Sequence, residues 1–478
     1  MNSLFVGRKA EILTLEDAFV SPEAEMISII GRRRVGKTYL VQQVYHKYID
    51  FEISGIQNAE GTEQLRNFST RLREFFPQKL ISHAPKDWLD AFIQLVECLQ
   101  QKRVKRKLVV FFDEVPWLAT HKSGFLKGLS YFWNSWAVKQ KIVVVLCGSA
   151  ASWMIQKVLR NRGGLHNRVT KRIRLQAFNL AETEAYLNRR NVKYNRYQLL
   201  QLYMAIGGIP HYLKEVERGQ SVVQNINRIC FNRDGLLHDE FLSLYPALFD
   251  HADYHIAIIR ALASKYMGLT RNGIIAAAKL PDGGRISKVL EELIESGFIQ
   301  YYPAYGKQLK DKLYRLTDEY SLFYLRFIEK NRHDSKDAWQ ALSQTAKYKT
   351  WTGYAFENIC WKHTEQIKKA LGIRGVYSIT SSFYKVGRGD EPGAQIDLLI
   401  DRNDQIINLI EAKFYNTAFT LNKDYANRLR EKLRIFQETT KTKKQLFLTL
   451  ITTFGLKANK HSLDLIQSDL EMDILFDE

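Results

Sequence analysis

Cysteine is scarce in this chain of 478 residues. There are four, Cys98, Cys147, Cys230 and Cys360, with no C-x-x-C spacing among them. That excludes a disulfide framework and the common zinc arrangements. Long apolar runs are missing as well: none approaches the roughly 20 residues that a membrane-spanning helix needs. The opening MNSLFVGRKAEIL lacks the basic stretch and apolar segment of a signal peptide. There is no internal repeat and no low-complexity tract. The expectation is a soluble, cytoplasmic protein, with length enough for about three domains. Acidic residues are also in deficit, 51 Asp and Glu against 70 Lys and Arg, for a formal net charge of +19. The excess is uneven: +6 over residues 1–150, +7 over 151–250, +5 over 251–350, and only +1 beyond. A basic balance over the first three segments suits phosphate-bearing partners, DNA among them.

What is present is most informative at EMISIIGRRRVGKTYLVQQVY, residues 25–45. A short apolar run precedes GRRRVGKT and an amphipathic helical pattern follows it. Strand, glycine loop and helix form the context in which G-x-x-x-x-G-K-[ST] binds a nucleoside triphosphate. Gly31 and Gly36 let the backbone of Arg32, Arg33, Arg34 and Val35 curl, so that its N–H groups face a polyphosphate at the positive end of the helix. Lys37 reaches the β- and γ-phosphates, and the Thr38 hydroxyl ligates Mg²⁺.

The other half of such a site is an acid ending a buried strand. After QKRVKRK come LVVFF and then Asp113-Glu114. A strand buried on both faces reads as a continuous apolar run, and ligands sit at the carboxyl ends of such strands. Asp113 is then the Mg²⁺ partner, and Glu114 the general base that polarises the attacking water. A third strand, KIVVVLCGSAASWM, ends at Cys147-Gly148-Ser149, where a small polar side chain can orient that water or sense the γ-phosphate.

These elements resemble the archaeal-type ATPase family, on the border between the AAA+ and STAND groupings. The opening FVGRKAEILTLEDAF looks like the GR-x-x-E box of these ATPases, which implies Gly7, Arg8 and Glu11 around the adenine. Ser149, or else Ser152, stands where the family has its sensor 1 residue, although Asn or Thr is more usual there. The stretch GGLHNRVTKRIRLQAFNL matches the region in which the family carries an arginine. This makes Arg168 the candidate for the γ-phosphate of a neighbouring subunit in a homo-oligomer. GGIPHYL resembles the G-x-P segment of a helical lid, implying Pro210 near the nucleotide.

Residues 250–330 read as a winged helix. DYHIAIIRALAS, LTRNGIIAAAKL and RISKVLEELIESGFI give three helical periodicities, with Thr270 a natural N-cap. Two strands follow around a Gly-Lys turn whose Lys307, Lys310 and Lys312 could meet DNA. The third helix carries Arg285 and Lys288 but also Glu291, Glu292 and Glu295, which would repel phosphate from any face they share.

Toward the C-terminus, WTGYAFENIC begins an amphipathic helix with Glu357, and AQIDLLIDRNDQIINLIEAKFY gives two apolar strands around a polar turn, a hairpin pattern. Asp397 opens the first strand. Glu411 and Lys413 lie near the end of the second, two apart and therefore on one face. Asp397, Glu411 and Glu357 can converge on Mg²⁺ or Mn²⁺, with Lys413 positioning water. This order resembles the PD-(D/E)xK nuclease superfamily, with Gln395-Ile396 where a proline commonly stands. A following helix offers Tyr425, Arg428 and Arg430 to phosphate.

The expected architecture is α/β. It comprises a P-loop ATPase core (1–175), a helical lid (176–245), a winged helix (246–335) and a restriction-endonuclease-like domain (336–478). The expected function is an ATP-driven switch controlling metal-dependent DNA cleavage, in defence or mobile-element biology. The alternative is an ATP-dependent scaffold with an inactive nuclease-like domain.

Overall fold

In a computed structural model of the chain, the residues described are 5–79, 83–120, 123–160, 163–249, 251–306, 312–331, 338–387 and 392–477. The apolar runs of the N-terminal region become strands β1 (Glu25–Ile30), β2 (Ile49–Ser54), β3 (Leu108–Asp113), β4 (Ile142–Gly148) and β5 (Lys171–Arg174). They form one parallel sheet in the order β2-β3-β4-β1-β5. Every residue of β1, β3 and β4 is buried, as helices on both faces of a parallel sheet require.

One face of the sheet packs on the helices Gly61–Phe75, Trp88–Gln100 and Phe125–Ser135. Phe68, Trp88, Phe92, Phe112 and Phe125 share this core, with Trp88 edge-on to Phe125 at 4.8 Å. Such aromatic pairs add about 0.5–1.5 kcal/mol beyond their area burial. Strand β2 is anchored by the buried Asp50. Its carboxylate accepts from Lys102 Nζ (3.0 Å), Arg106 Nη1 (2.8 Å) and the Val109 N–H (2.9 Å), so the buried charge is matched on all sides.

The chain divides into two compact units, Met1–Ala177 with Glu295–Gly297, and Phe178–Ile294 with Phe298–Glu478. The second begins with the helices Leu180–Arg189 and Arg196–Ile206, capped by Asn179 and Asn195. Helices Asp253–Ala263, Arg271–Ala278 and Gly284–Glu295 follow, then the antiparallel strands β6 (Ile299–Tyr302) and β7 (Leu313–Leu316). Thr270 caps its helix through the Gly273 N–H at 3.1 Å. Lys307 and Lys310 lie outside the described residues; Lys312 sits 4.2 Å over the Tyr301 ring.

A second, mixed sheet has the order β14-β12-β10-β9-β8. Strands β8 (Ser378–Lys385), β9 (Ala394–Arg402) and β10 (Ile406–Lys413) run antiparallel in turn. The short pair β11 (Phe419–Thr420) and β13 (Leu456–Lys457) stands outside this sheet. Strands β12 (Gln445–Thr452) and β14 (Ser468–Glu471) add in parallel beside β10. The helix Ala346–Lys362 precedes this sheet, and the helix Lys423–Thr440 lies between β10 and β12, burying Ala426, Leu429, Ile435 and Phe436.

Candidate functional site

The loop after β1 has the conformation that its glycines allow. Gly36 is left-handed, φ 94°, a value costly for any residue with a Cβ. A Cβ on Gly31 would come within 2.3 Å of the Leu175 carbonyl oxygen. Lys37, at the start of the helix Lys37–Tyr45, is buried, and its Nζ donates to the carbonyls of Gly31 (2.9 Å) and Arg32 (3.1 Å). Burial lowers its pKa, and Glu114, Cys147 and Asp113 oppose that shift. The ammonium is thus caged by the loop that a polyphosphate would fill. Arg32 and Val35 are buried, and Arg33 and Arg34 half-buried. Gly7 and Arg8 are both left-handed, and Arg8 Nη2 donates to the Val35 carbonyl at 3.2 Å, tying the opening segment to the loop.

The parallel register brings the ends of β1, β3 and β4 to one edge of the sheet, Ile30 beside Gly148 and Phe112 beside Leu146. Thr38 Oγ1 donates to Asp113 Oδ2 at 2.6 Å, and the Glu114 N–H to Asp113 Oδ1 at 3.0 Å. Burial raises the Asp113 pKa, and the bond from Thr38 holds it back. Burial, and next Asp113, push the Cys147 thiol well up, so it stays neutral. A hydroxyl and a carboxylate side by side suit Mg²⁺, which takes one or two protein oxygens together with water and substrate phosphates. Thr38 and Asp113 would hold that ion, which would supply positive charge to offset the negative charge of the nucleotide phosphates.

Glu114 is left-handed at φ 44°, a strained position for a residue with a side chain. Its Oε2 accepts from both the Ser149 N–H (3.0 Å) and Ser149 Oγ (2.8 Å). The structure therefore gives Ser149 a partner that the sequence reading lacked: it grips the candidate base itself. Arg168 is exposed in the turn before β5, its backbone N–H donating to the Leu165 carbonyl at 3.1 Å. Pro210 belongs to the second unit, where it is the first residue of the short helix Pro210–Leu213.

The second candidate cluster lies on the mixed sheet. The β9–β10 register runs to Leu398 opposite Ile410, with Asp397 and Glu411 each the next residue along its own strand. Asp397 Oδ1 accepts from Gln395 Nε2 (2.6 Å), and Trp361 Nε1 donates to the Asp397 carbonyl (2.9 Å). Glu411 is buried and heavily engaged. Lys432 Nζ bonds to its Oε1, Tyr425 OH donates to Oε2 at 2.9 Å, and Lys413 Nζ stands 3.6 Å from Oε2. Burial alone would raise the Glu411 carboxyl, but Lys432, Lys413 and the bond from Tyr425 overcome it and hold its pKa below the ordinary value.

Glu357 behaves oppositely. Burial, then Asp397, push its pKa up to about 8, against Arg315 and Lys413. Arg315 Nη2 is 3.8 Å away, and the buried Glu357 Oε2 has no hydrogen-bond partner among the described residues. Sequence reasoning missed Lys432 and Arg315, which arrive from the helix Lys423–Thr440 and from β7. Among the described residues no group of three or more His, Cys, Asp or Glu is gathered to hold a metal. Glu411 is engaged instead by Lys432 and Tyr425.

Glu357 makes stability pH-dependent. The folded protein holds this proton from its ordinary value of 4.5 up to about 8, whereas the unfolded chain loses it near 4.5. The stabilisation is complete below about pH 4.5 and is lost as pH rises through about 8. In EDTA, Glu357→Gln should therefore gain on the wild type in thermal midpoint from about pH 6 to about pH 9. A constant difference across that range would contradict the assignment.

A parallel 2-3-4-1-5 sheet with a glycine loop after β1 and an acid pair after β3 defines the P-loop NTPase fold. Residues 5–216 match the family described as an ATPase domain predominantly from Archaea, so the chain carries an archaeal-type ATPase domain. An uncharacterized protein of Methanocaldococcus jannaschii is 24% identical over 424 residues, covering 86% of this chain and 88% of that one. The solved Walker-type ATPase of Pyrococcus abyssi superposes with a TM-score of 0.50 at 18% identity, over 67% of this chain and 96% of the other. That likeness establishes the fold. No helix among the described residues is long and apolar enough to cross a membrane.

Proposed function

We propose that this protein is an ATP-hydrolysing switch coupled to a metal-dependent nuclease module acting on DNA, with boundaries near residues 175, 245 and 335. The observation that carries the nuclease reading is Lys413 Nζ at 3.6 Å from Glu411, on the strand β10 that pairs with the strand β9 bearing Asp397. Glu357 is close enough for its proton affinity to respond to all three. Grouping acids and a lysine in a buried place is costly unless a ligand compensates, so such clusters favour function. The orphaned Glu357 Oε2 adds to that argument. The oxygen donors of Asp397 and Glu411 suit Mg²⁺ or Mn²⁺ once Lys432 yields. A cation there would supply a Lewis acid for phosphodiester hydrolysis. Lys413 would orient water, and the Tyr425 hydroxyl, its pKa raised by burial and by Glu411, remains a donor.

The grip of Lys432 and Tyr425 on Glu411 favours the second reading, a scaffold whose nuclease-like fold has lost activity. The deciding experiment incubates the purified protein with plasmid and oligonucleotides in Mg²⁺ and in Mn²⁺, with and without ATP. Cleavage supports the first reading, and its absence under every condition supports the second.

Residues 246–335 fit a winged helix, three helices followed by an antiparallel pair. On its third helix Glu292 is turned inward and bonds His255 at 2.8 Å, while Arg285 and Lys288 are exposed. This removes one of the acids expected to repel phosphate.

Arg168 is the proposed trans contact, an exposed arginine just before β5. Turnover per subunit should rise with protein concentration, and Arg168→Ala should flatten that rise while leaving nucleotide affinity nearly intact. A concentration-independent rate and an unaffected variant would remove Arg168 from the site.

A further inference from the structure

The helix Gly61–Phe75 of the ATPase unit carries a second set of phosphate-seeking groups that the nucleotide site does not use. Arg66, Ser69, Thr70 and Arg73 share one face of it at helical spacing. With Lys86 and Pro85 they line a cavity of about 290 Å³. Neighbouring cations of this unit have acidic partners, Arg71 with Glu74 and Lys79 with Glu97. Among the described residues, no carboxylate pairs with the side chains of Arg66, Arg73 or Lys86. Ser69 is only 5% exposed, and its Oγ has no hydrogen-bond partner among the described residues. A buried hydroxyl left unpaired is uncommon and calls for an explanation. Ser69 lines the same cavity as Arg66, Arg73 and Lys86.

We propose that this cavity binds the phosphodiester backbone of a nucleic-acid strand, with Ser69 donating to a phosphate oxygen and Arg66, Arg73 and Lys86 neutralising adjacent phosphates. Arg66 and Arg73 are seven residues apart, about 10 Å along a helix axis, a spread that serves more than one phosphate. The lining holds no acidic residue and no aromatic ring on which a base could stack, so the contact positions a strand without reading its sequence. This site lies on different residues from the nuclease cluster and stands whether or not that cluster cleaves.

The test uses the full chain and a fluorescein-labelled single-stranded 30-mer in EDTA, read by anisotropy at several salt concentrations. The variant Arg66→Ala/Arg73→Ala/Lys86→Ala is compared with Lys47→Ala/Lys127→Ala/Lys139→Ala, which removes the same charge from exposed positions of the same unit. The cavity variant should bind at least about tenfold more weakly, and its slope of log affinity against log salt should shrink by about 2, as expected for three lost contacts at roughly 0.7 each. The control variant should resemble the wild type, and both should bind ATP normally. Equal affinity and slope in the two variants would overturn the proposal. So would a cavity variant that keeps oligonucleotide affinity but loses thermal stabilisation by inorganic pyrophosphate, an outcome that assigns the cavity to a small phosphate ligand.

Discussion

Glu114→Gln is expected to bind ATP as the wild type does and to hydrolyse it about 10² to 10⁴ times more slowly, the usual cost of losing a general base. The glutamate follows directly on Asp113, which is joined to Thr38 at 2.6 Å, and lies near enough to the Lys37 ammonium to act on its charge. The amide keeps the shape, and its oxygen can still accept from the Ser149 N–H and hydroxyl that now hold Oε2. Only the basicity is lost. Lys37→Ala should act earlier and abolish binding, because it removes the buried cation that lines the loop. Nucleotide-binding calorimetry and phosphate release separate the two effects. If Glu114→Gln turns over at the wild-type rate, another group activates the water.

The second large effect is expected on the mixed sheet. Asp397→Ala and Lys413→Ala should each eliminate metal-dependent cleavage of plasmid while ATP turnover stays at the wild-type level. The first removes one of the carboxylates proposed to hold the metal, the second the ammonium 3.6 Å from Glu411. Lys432→Met adds a distinguishing arm. If Lys432 restrains Glu411, its removal should let cleavage proceed at a lower Mn²⁺ concentration. If Lys432 and Tyr425 instead mark a retired site, no variant and no metal will yield cleavage, and the scaffold reading stands.

Much of this protein was legible in its sequence because the relevant signals are local. Five to six consecutive apolar residues running into Asp113 or Gly148 specify strands buried on both faces, since no solvated face tolerates such a run. Glycines at 31 and 36 before Lys37-Thr38 specify a loop that curls around a polyphosphate, since a Cβ at either place is obstructed or strained. The two apolar runs around the polar Asp-Arg-Asn-Asp turn likewise specified an antiparallel pair. The tertiary structure alone decided who faces whom. Ser149 meets Glu114 across adjacent strands, 35 residues apart in the chain. Lys432 reaches Glu411 from a helix 21 residues on, and Arg315 on β7 approaches Glu357 on the helix Ala346–Lys362. Propensity and periodicity describe a residue's own element, whereas these pairings depend on how elements pack. The proton affinity of Glu357 depends on the same thing, because desolvation and neighbouring charge exist only after the chain has closed around it.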